Sequence, residues 1–325
     1  MHCNRNGWAC AVIWILLLIV LFAPYGCVSQ QTARQGPPVD RDLERTNRAA
    51  RTAFDNGRIR QAADLYRQAL ERAYLRDDLA AATDARFNLA VCLTLLQSDQ
   101  EALELVIQAR EELSRAGQPV PNDIHLLEAT ILYRQGKLEK AWQITDNILQ
   151  TPEGISSPVR SKIHFLRGLI ASDRYDWIKL KLEIDALGKP NSPGLRADQQ
   201  ELIGNLSMAE RNWDEAVLAF DEAAALRRQI LDYRGMVKAL AKAGEACERD
   251  GRLVPAARRF LRAGQSAARQ GDSHQARIWL DRAAKLAEQG GDGELAQEAR
   301  FQLAELQEDR AVSPSEGAPG IEGRR

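Results

Sequence analysis

Small residues recur at three fixed helical stations along this chain: Ala50, Ala62 and Ala69; Ala90, Ala102 and Ala109; Ala129 and Ala141; Gly204, Ala216 and Ala223; Gly244, Ala256 and Ala263. The first station of each group falls at 50, 90, 129, 168, 204 and 244, in steps of 40, 39, 39, 36 and 40 residues. A period in that range marks an array of helical hairpins, each too small to bury its apolar face alone and each stacked on its neighbours. The expected fold class is therefore all-α, an α-solenoid of helix hairpins over residues 42–307. Such a chain works through a long surface rather than an enclosed catalytic pocket.

Composition supports one elongated helical body. Hydrophobic residues make up 45% of the 325 positions but aromatics only 6%, so helix contacts must rest on Ala and Leu rather than on large rings. The formal net charge is −1, and the arginines are interleaved with acids, as in Glu71-Arg72 and Arg110-Glu111-Glu112. That leaves no basic field to attract nucleic acid, which is excluded as a partner.

One repeat shows why the pattern means helix, turn, helix. From Arg196, apolar Leu202, Ile203, Leu206 and Met208 lie on one predicted helix, and Ala216, Val217, Phe220, Ala223 and Ala224 on the next, at spacings of three, four and seven. Asn212-Trp213-Asp214 is predicted to form the turn, with Asp214 as cap and Trp213 folded back onto the pair. Gly204 is expected to face Ala216 and Ala223, where a large side chain would force the helix axes apart.

These features resemble the tetratricopeptide repeat. The family carries the same small stations, with Gly in the turn, here Gly57, Gly136 and Gly251, and an aromatic in the second helix, here Tyr66, Phe220 and Phe260. The likeness runs from about Arg41 to Ala263; the fourth unit is the most degenerate, keeping Gly168 but placing Leu180 where Ala is usual. The resemblance implies a right-handed superhelix. Members repeat about every 34 residues. The longer period here implies longer helices or loops, with Leu75 to Ala81 and Gly117 to Asn122 as candidates. After Gly251 the spacing halves, with Gly251, Gly271 and Gly291 twenty residues apart. The stack is expected to continue to residue 307, closed by a polar cap of Gln297, Glu298, Arg300 and Glu305; residues 308–325 lack periodicity and are expected to be a disordered tail.

The N-terminus sets the compartment. Residues 9–23 form a charge-free apolar run, short for a spanning helix and long enough for the core of an export signal. Gly26-Cys27 closes that run and resembles the lipobox of bacterial lipoproteins, which implies cleavage before Cys27 and diacylation of its thiol. Members of that class carry Leu three residues before the Cys and a small residue two before it; here Pro24 and Tyr25 stand there. The domain reading is a signal peptide over 1–26, a lipid-anchored flexible tether over 27–41 that reaches about 20 Å, then the array. The alternative is an uncleaved signal anchor with an incidental Cys. By the lipoprotein sorting rule, Val28 after the Cys points to the outer membrane, so the expected location is the cell envelope, facing the periplasm.

No chemistry-bearing motif emerges. The four histidines are scattered, no paired cysteines stand at metal spacing, and neither a phosphate-binding Gly-rich loop nor a nucleophile elbow occurs. No enzyme activity, cofactor, metal or small-molecule substrate is expected. Cys92 and Cys247, four repeats apart, are expected to be separate core residues, because a disulfide needs Cα atoms within about 7 Å.

In the resembled family the first helices line a concave groove. Transferred here, the inward stations of repeats two to four place Phe87, Val91, Leu95, Leu126, Tyr133, Phe165 and Leu169 in an apolar stripe, with Asn88, Thr130 and Arg134 beside it. That stripe is either ordinary packing between repeats or the binding surface for an amphipathic helix or extended peptide. The family's clamp for a peptide C-terminus is matched only at Asn88; its other places hold Asn47, Arg51, Asp123 and Leu127. The functional expectation is a membrane-anchored envelope scaffold that binds a protein partner along this face, as an adaptor or assembly factor. The alternative is a signal-anchored inner-membrane subunit of a secretion or respiratory complex, with the array as spacer.

Overall fold

The computed structural model describes residues 40–151 and 154–312. The segment read above as an export signal, Cys27, and most of the segments read as tether and tail lie outside the described residues. Fourteen helices follow one another among the described residues: α1 (Arg41–Asp55), α2 (Ile59–Leu75), α3 (Leu79–Leu95), α4 (Asp99–Arg115), α5 (Asn122–Arg134), α6 (Leu138–Gln150), α7 (Ser157–Asp173), α8 (Trp177–Leu187), α9 (Pro193–Ala209), α10 (Trp213–Gln229), α11 (Tyr233–Arg249), α12 (Leu253–Arg269), α13 (Ser273–Gln289) and α14 (Gly293–Val312). They pair into seven hairpins, and each hairpin packs on the next. The architecture is an all-α solenoid. Its last helix continues to Val312, beyond the boundary at 307 drawn from the sequence.

The long period has a simple origin. Nine helices are 17 residues long, and turns of three residues join them. A helix and its turn therefore make 20 residues, and a hairpin 40. The predicted loop from Leu75 to Ala81 does not exist: α3 begins at Leu79, and only 76–78 turn. The second predicted loop is real, since α4 ends at Arg115 and α5 starts at Asn122. Nor does the spacing halve after Gly251. The 20-residue unit already separates the starts of α2, α3 and α4.

All ten three-residue turns share one geometry. The middle residue is left-handed: Gly57, Gly136, Gly251, Gly271 and Gly291, but also Asp77, Gln97, Tyr175, Arg211 and Leu231. The third residue's N–H reaches back five residues to a helix carbonyl, as in Asp78 to Ala73 and Asp232 to Arg227, which satisfies the end of one helix. Where that third residue is Asp, its carboxylate accepts a backbone N–H of the following helix, as at Asp78, Asp176, Asp232, Asp272 and Asp292. Asp214 is not such a cap. It lies in the first turn of α10, behind Asn212, and pairs with Arg252 at 3.0 Å.

Left-handed geometry costs a side-chain-bearing residue about 1–2 kcal/mol that glycine avoids. Leu231 adopts φ 61° while 70% exposed, so it holds this conformation with little packing in return. Leu231→Gly is expected to raise unfolding free energy by about 1 kcal/mol in urea titration. No gain would mean that the leucine's contacts outweigh its strain.

The core runs along the array but is thinnest at hairpin four. One cluster joins hairpins one to three with Leu166 and Ile170 of α7, a second spans α10 to α14, and a small one around Ala171, Leu180, Leu187 and Leu202 lies between them. The short α8, with Leu180 where other hairpins have Ala or Gly, accounts for the thinning. Gly204 faces the buried stripe of α10 that holds Ala216, Phe220 and Ala223; a Cβ on it would meet the Phe220 ring at 2.5–2.7 Å. Cys92 and Cys247 are buried and free, and burial pushes the Cys92 thiol up to about 11. The residues expected to cap the stack, Gln297, Glu298, Arg300 and Glu305, are all exposed on α14.

Candidate functional site: the inner face of the array

The direction of the bend follows from helix packing. First helices pack on first helices, α5 on α7 and α7 on α9, with no contact of similar extent between second helices in those hairpins. The first-helix side is therefore the inside of the curve. The Arg234 guanidinium, at the start of α11, donates to the Leu95 carbonyl at the end of α3 at 2.6 Å. A contact between hairpins six and two requires that the inner face wrap around.

The ten residues picked from sequence lie on this side, with mixed roles. Phe87, Leu126 and Tyr133 are half-buried against the first core cluster, and Phe165 and Leu169 against the small one. Val91 is half-buried and Leu95 is 36% exposed. Asn88 and Thr130 turn back to carbonyls of their own helices, at Asp84 and Leu126. Arg134 grips Asp99 at 2.9 Å. Tyr133 has its hydroxyl pKa raised, first by burial and then by Asp173, to which it hydrogen-bonds.

A second stretch of the inner face lies farther along. A cleft of about 560 Å³ opens between the ends of α7, α9 and α11, lined by Asp173, Tyr175, Trp177, Asn205, Lys242 and Arg249 among others. It lies at the end of the hairpins where the first helices finish and the second begin, beside the turn that carries Tyr175. Tyr175 and Trp177 meet edge to face at 5.7 Å on one wall. On the other, Lys242 Nζ donates to Glu201 Oε1 at 3.0 Å and Asn205 Oδ1 at 3.1 Å, and lies 5.6 Å from the centre of the Phe220 ring. Burial opposes ionisation of Glu201, but Lys242, Arg227 and Lys238 outweigh it and hold the carboxyl below its usual range. Arg249 forms no ion pair among the described residues.

Chemically, this wall offers aromatic faces, a carboxylate in Asp173 and a free guanidinium. Such a mixture holds a peptide or protein segment by a few rings and charge-assisted hydrogen bonds. These residues lie beyond the apolar stripe that repeats two to four display in the sequence. Extending the same inward stations into hairpins five and six would have reached Glu201, Asn205, Glu245 and Arg249. Among the described residues no group of three or more His, Cys, Asp or Glu could hold a metal ion, and no helix is long and apolar enough to cross a membrane.

Residues 47–112 match the family model of the tetratricopeptide repeat. No curated protein matches the chain. Among solved structures, apo RapI superposes with a TM-score of 0.53 at 11% identity, over 82% of this chain and 77% of that one. A Rap protein complexed with competence and sporulation factor gives 0.50 at 13% identity, over 83% and 99%. A tetratricopeptide repeat protein from Parabacteroides merdae gives 0.43 at 16% identity, over 80% and 100%. Residues 47–112 thus carry the match to the tetratricopeptide repeat, and helix hairpins of the same form continue the array to α14.

Proposed function

We propose that the chain is a non-enzymatic scaffold of a bacterial cell envelope, anchored to the membrane through lipid on Cys27 and holding a protein partner on its inner face. The observation that carries this reading is the cleft at hairpins four to six, where Tyr175, Trp177, Lys242 and Arg249 converge on an otherwise regular stack. An inner face of this kind suits an extended or helical segment of another protein. The Rap protein of similar fold is seen with competence and sporulation factor, a precedent for a bound factor on such an array.

The partner surface is tested by placing a photo-crosslinking amino acid at Asn205, on the inner wall, and separately at exposed Ala225 on α10. In cells of the native source, a discrete protein adduct is expected from position 205 and not from 225. Equal adducts from both, or none from 205, would remove the cleft as the binding surface.

The anchor has its own test. Cys27→Ser removes the thiol that acylation needs, so the mature chain is expected either to leave the membrane fraction or to accumulate uncleaved, read by fractionation and a palmitate label. A variant that is cleaved and stays membrane-bound would end the lipoprotein reading.

A further inference from the structure

Hairpins six and two are joined by one bond. The Arg234 guanidinium donates to the Leu95 carbonyl at 2.6 Å across 139 positions of the chain. Leu95 ends α3, and its carbonyl is among those that a helix terminus leaves without a partner of its own, so the guanidinium satisfies it. Hairpins three, four and five stack in order between the two, and the bond therefore closes a turn of the array from hairpin two to hairpin six. The seam is thin: α3 and α11 share no extensive packing, and Leu95, Leu231 and Tyr233 beside it all stay exposed. A permanently closed seam would bury side chains of this kind. Arg234 forms no ion pair among the described residues, and the acids nearest in sequence to the two ends of the bond, Asp232 and Asp99, are held by Arg227 at 3.2 Å and Arg134 at 2.9 Å. One exposed hydrogen bond thus holds the turn shut.

The give of the closed turn lies opposite the seam. In a stack where each hairpin packs on its neighbours, small rotations at successive interfaces add up to a large displacement at the ends. Hairpin four stands midway between hairpins two and six, and it has the smallest core cluster and the shortest helix, α8 with 11 residues. Fewer buried apolar contacts make it the easiest place for the stack to flex. The cleft at the ends of α7, α9 and α11 belongs to hairpins four, five and six, so it sits within the closed turn.

We infer that the bond from Arg234 to Leu95 is a latch and hairpin four its hinge: the turn parts at the seam to admit a partner segment sideways to the cleft and closes over it. This inference rests on the partner surface proposed above. It also sets the kind of segment held, because sideways entry needs no free chain end and an internal loop of a folded protein can be taken up.

Two measurements on the full chain test the latch. Spin labels on ketone-bearing amino acids at positions 97 and 231, exposed turn residues on the two sides of the seam, report its width by double electron-electron resonance. Arg234→Ala is expected to raise the long-distance population about tenfold, the effect of losing one charge-assisted hydrogen bond at the weak end of its range. Arg228→Ala, a change at another exposed arginine, should leave the distances as they are, and helical circular dichroism should stay unchanged in both. Separately, Ser172→Cys places a thiol in the cleft, and its modification is followed with a small maleimide and with a maleimide carried on a folded protein, against the chain without that cysteine. The small reagent should react equally fast with and without Arg234→Ala, and the folded carrier about tenfold faster with it. An unchanged distance distribution in Arg234→Ala overturns the latch. A wider seam with no faster entry of the carrier overturns the seam as the way in. Neither result touches the partner surface, which is decided by the crosslinks from positions 205 and 225.

Discussion

Asp198→Ala is expected to lower unfolding free energy by about 3 kcal/mol, the low end of the loss when one member of a buried ion pair is removed. Asp198 is completely buried at the start of α9 and accepts from Lys162 Nζ of α7 at 2.6 Å and Arg227 of α10 at 2.5 Å. It therefore ties hairpin four to hairpin five where the apolar core is thinnest. The low end is chosen because the two cations keep some relief: Lys162 is 47% exposed, and Arg227 still has Asp232 at 3.2 Å. Glu139→Ala is the control. Glu139 bonds Arg174 at 2.6 Å but is 70% exposed, so its loss should stay within about 0.5 kcal/mol. Urea midpoints measure both, and equal losses would show that burial of Asp198 contributes nothing. Because Asp198 registers α7 against α9, both of which line the cleft, its loss should also reduce crosslinking from position 205.

Gly204→Leu should be of similar size, about 3 kcal/mol, the upper part of the range for overpacking a full core. The first atom added already collides with Phe220, which is 1% exposed and cannot swing into solvent. Even Gly204→Ala is expected to destabilise, although alanine is the better helix former by about 1 kcal/mol. Gly244→Ala separates space from propensity: its Cβ would meet Phe260 at 3.1 Å, a contact that a shift of a few tenths of an ångström relieves, so it should cost less than Gly204→Ala. Thermal melts of the three variants test this order. Equal melting temperatures for Gly204→Leu and the parent would refute the close approach of α9 and α10.

Which small residues face which neighbours was not legible in advance. The recurrence of Ala50, Ala90, Ala129, Gly204 and Gly244 revealed close helix crossings, but not that the group closest to Gly204 is the Phe220 ring. The 20-residue unit was visible only after Gly251, because there the left-handed turn position is glycine. Earlier, Asp77 and Gln97, and later Arg211 and Leu231, adopt the same geometry with side chains, so nothing in the residue type marks the turn. Seven-fold repetition held them there: each turn joins two helices whose lengths are set by packing, and that packing outweighs a local penalty of about 1–2 kcal/mol.

The sequence alone determined the helical class, the hairpin repeat, the small stations at the crossings and the buried, separate cysteines, because each depends on periodicity or on distance along a stack. Only the tertiary structure decided what hairpin four does. There the short α8 thins the core, Tyr175 and Trp177 line a cleft where α8 begins, Asp198 sits between Lys162 and Arg227, and Ile178 and Leu182 are exposed. Those contacts join residues about 30 or more positions apart through the stacking of whole hairpins, and a helical period carries no information about them.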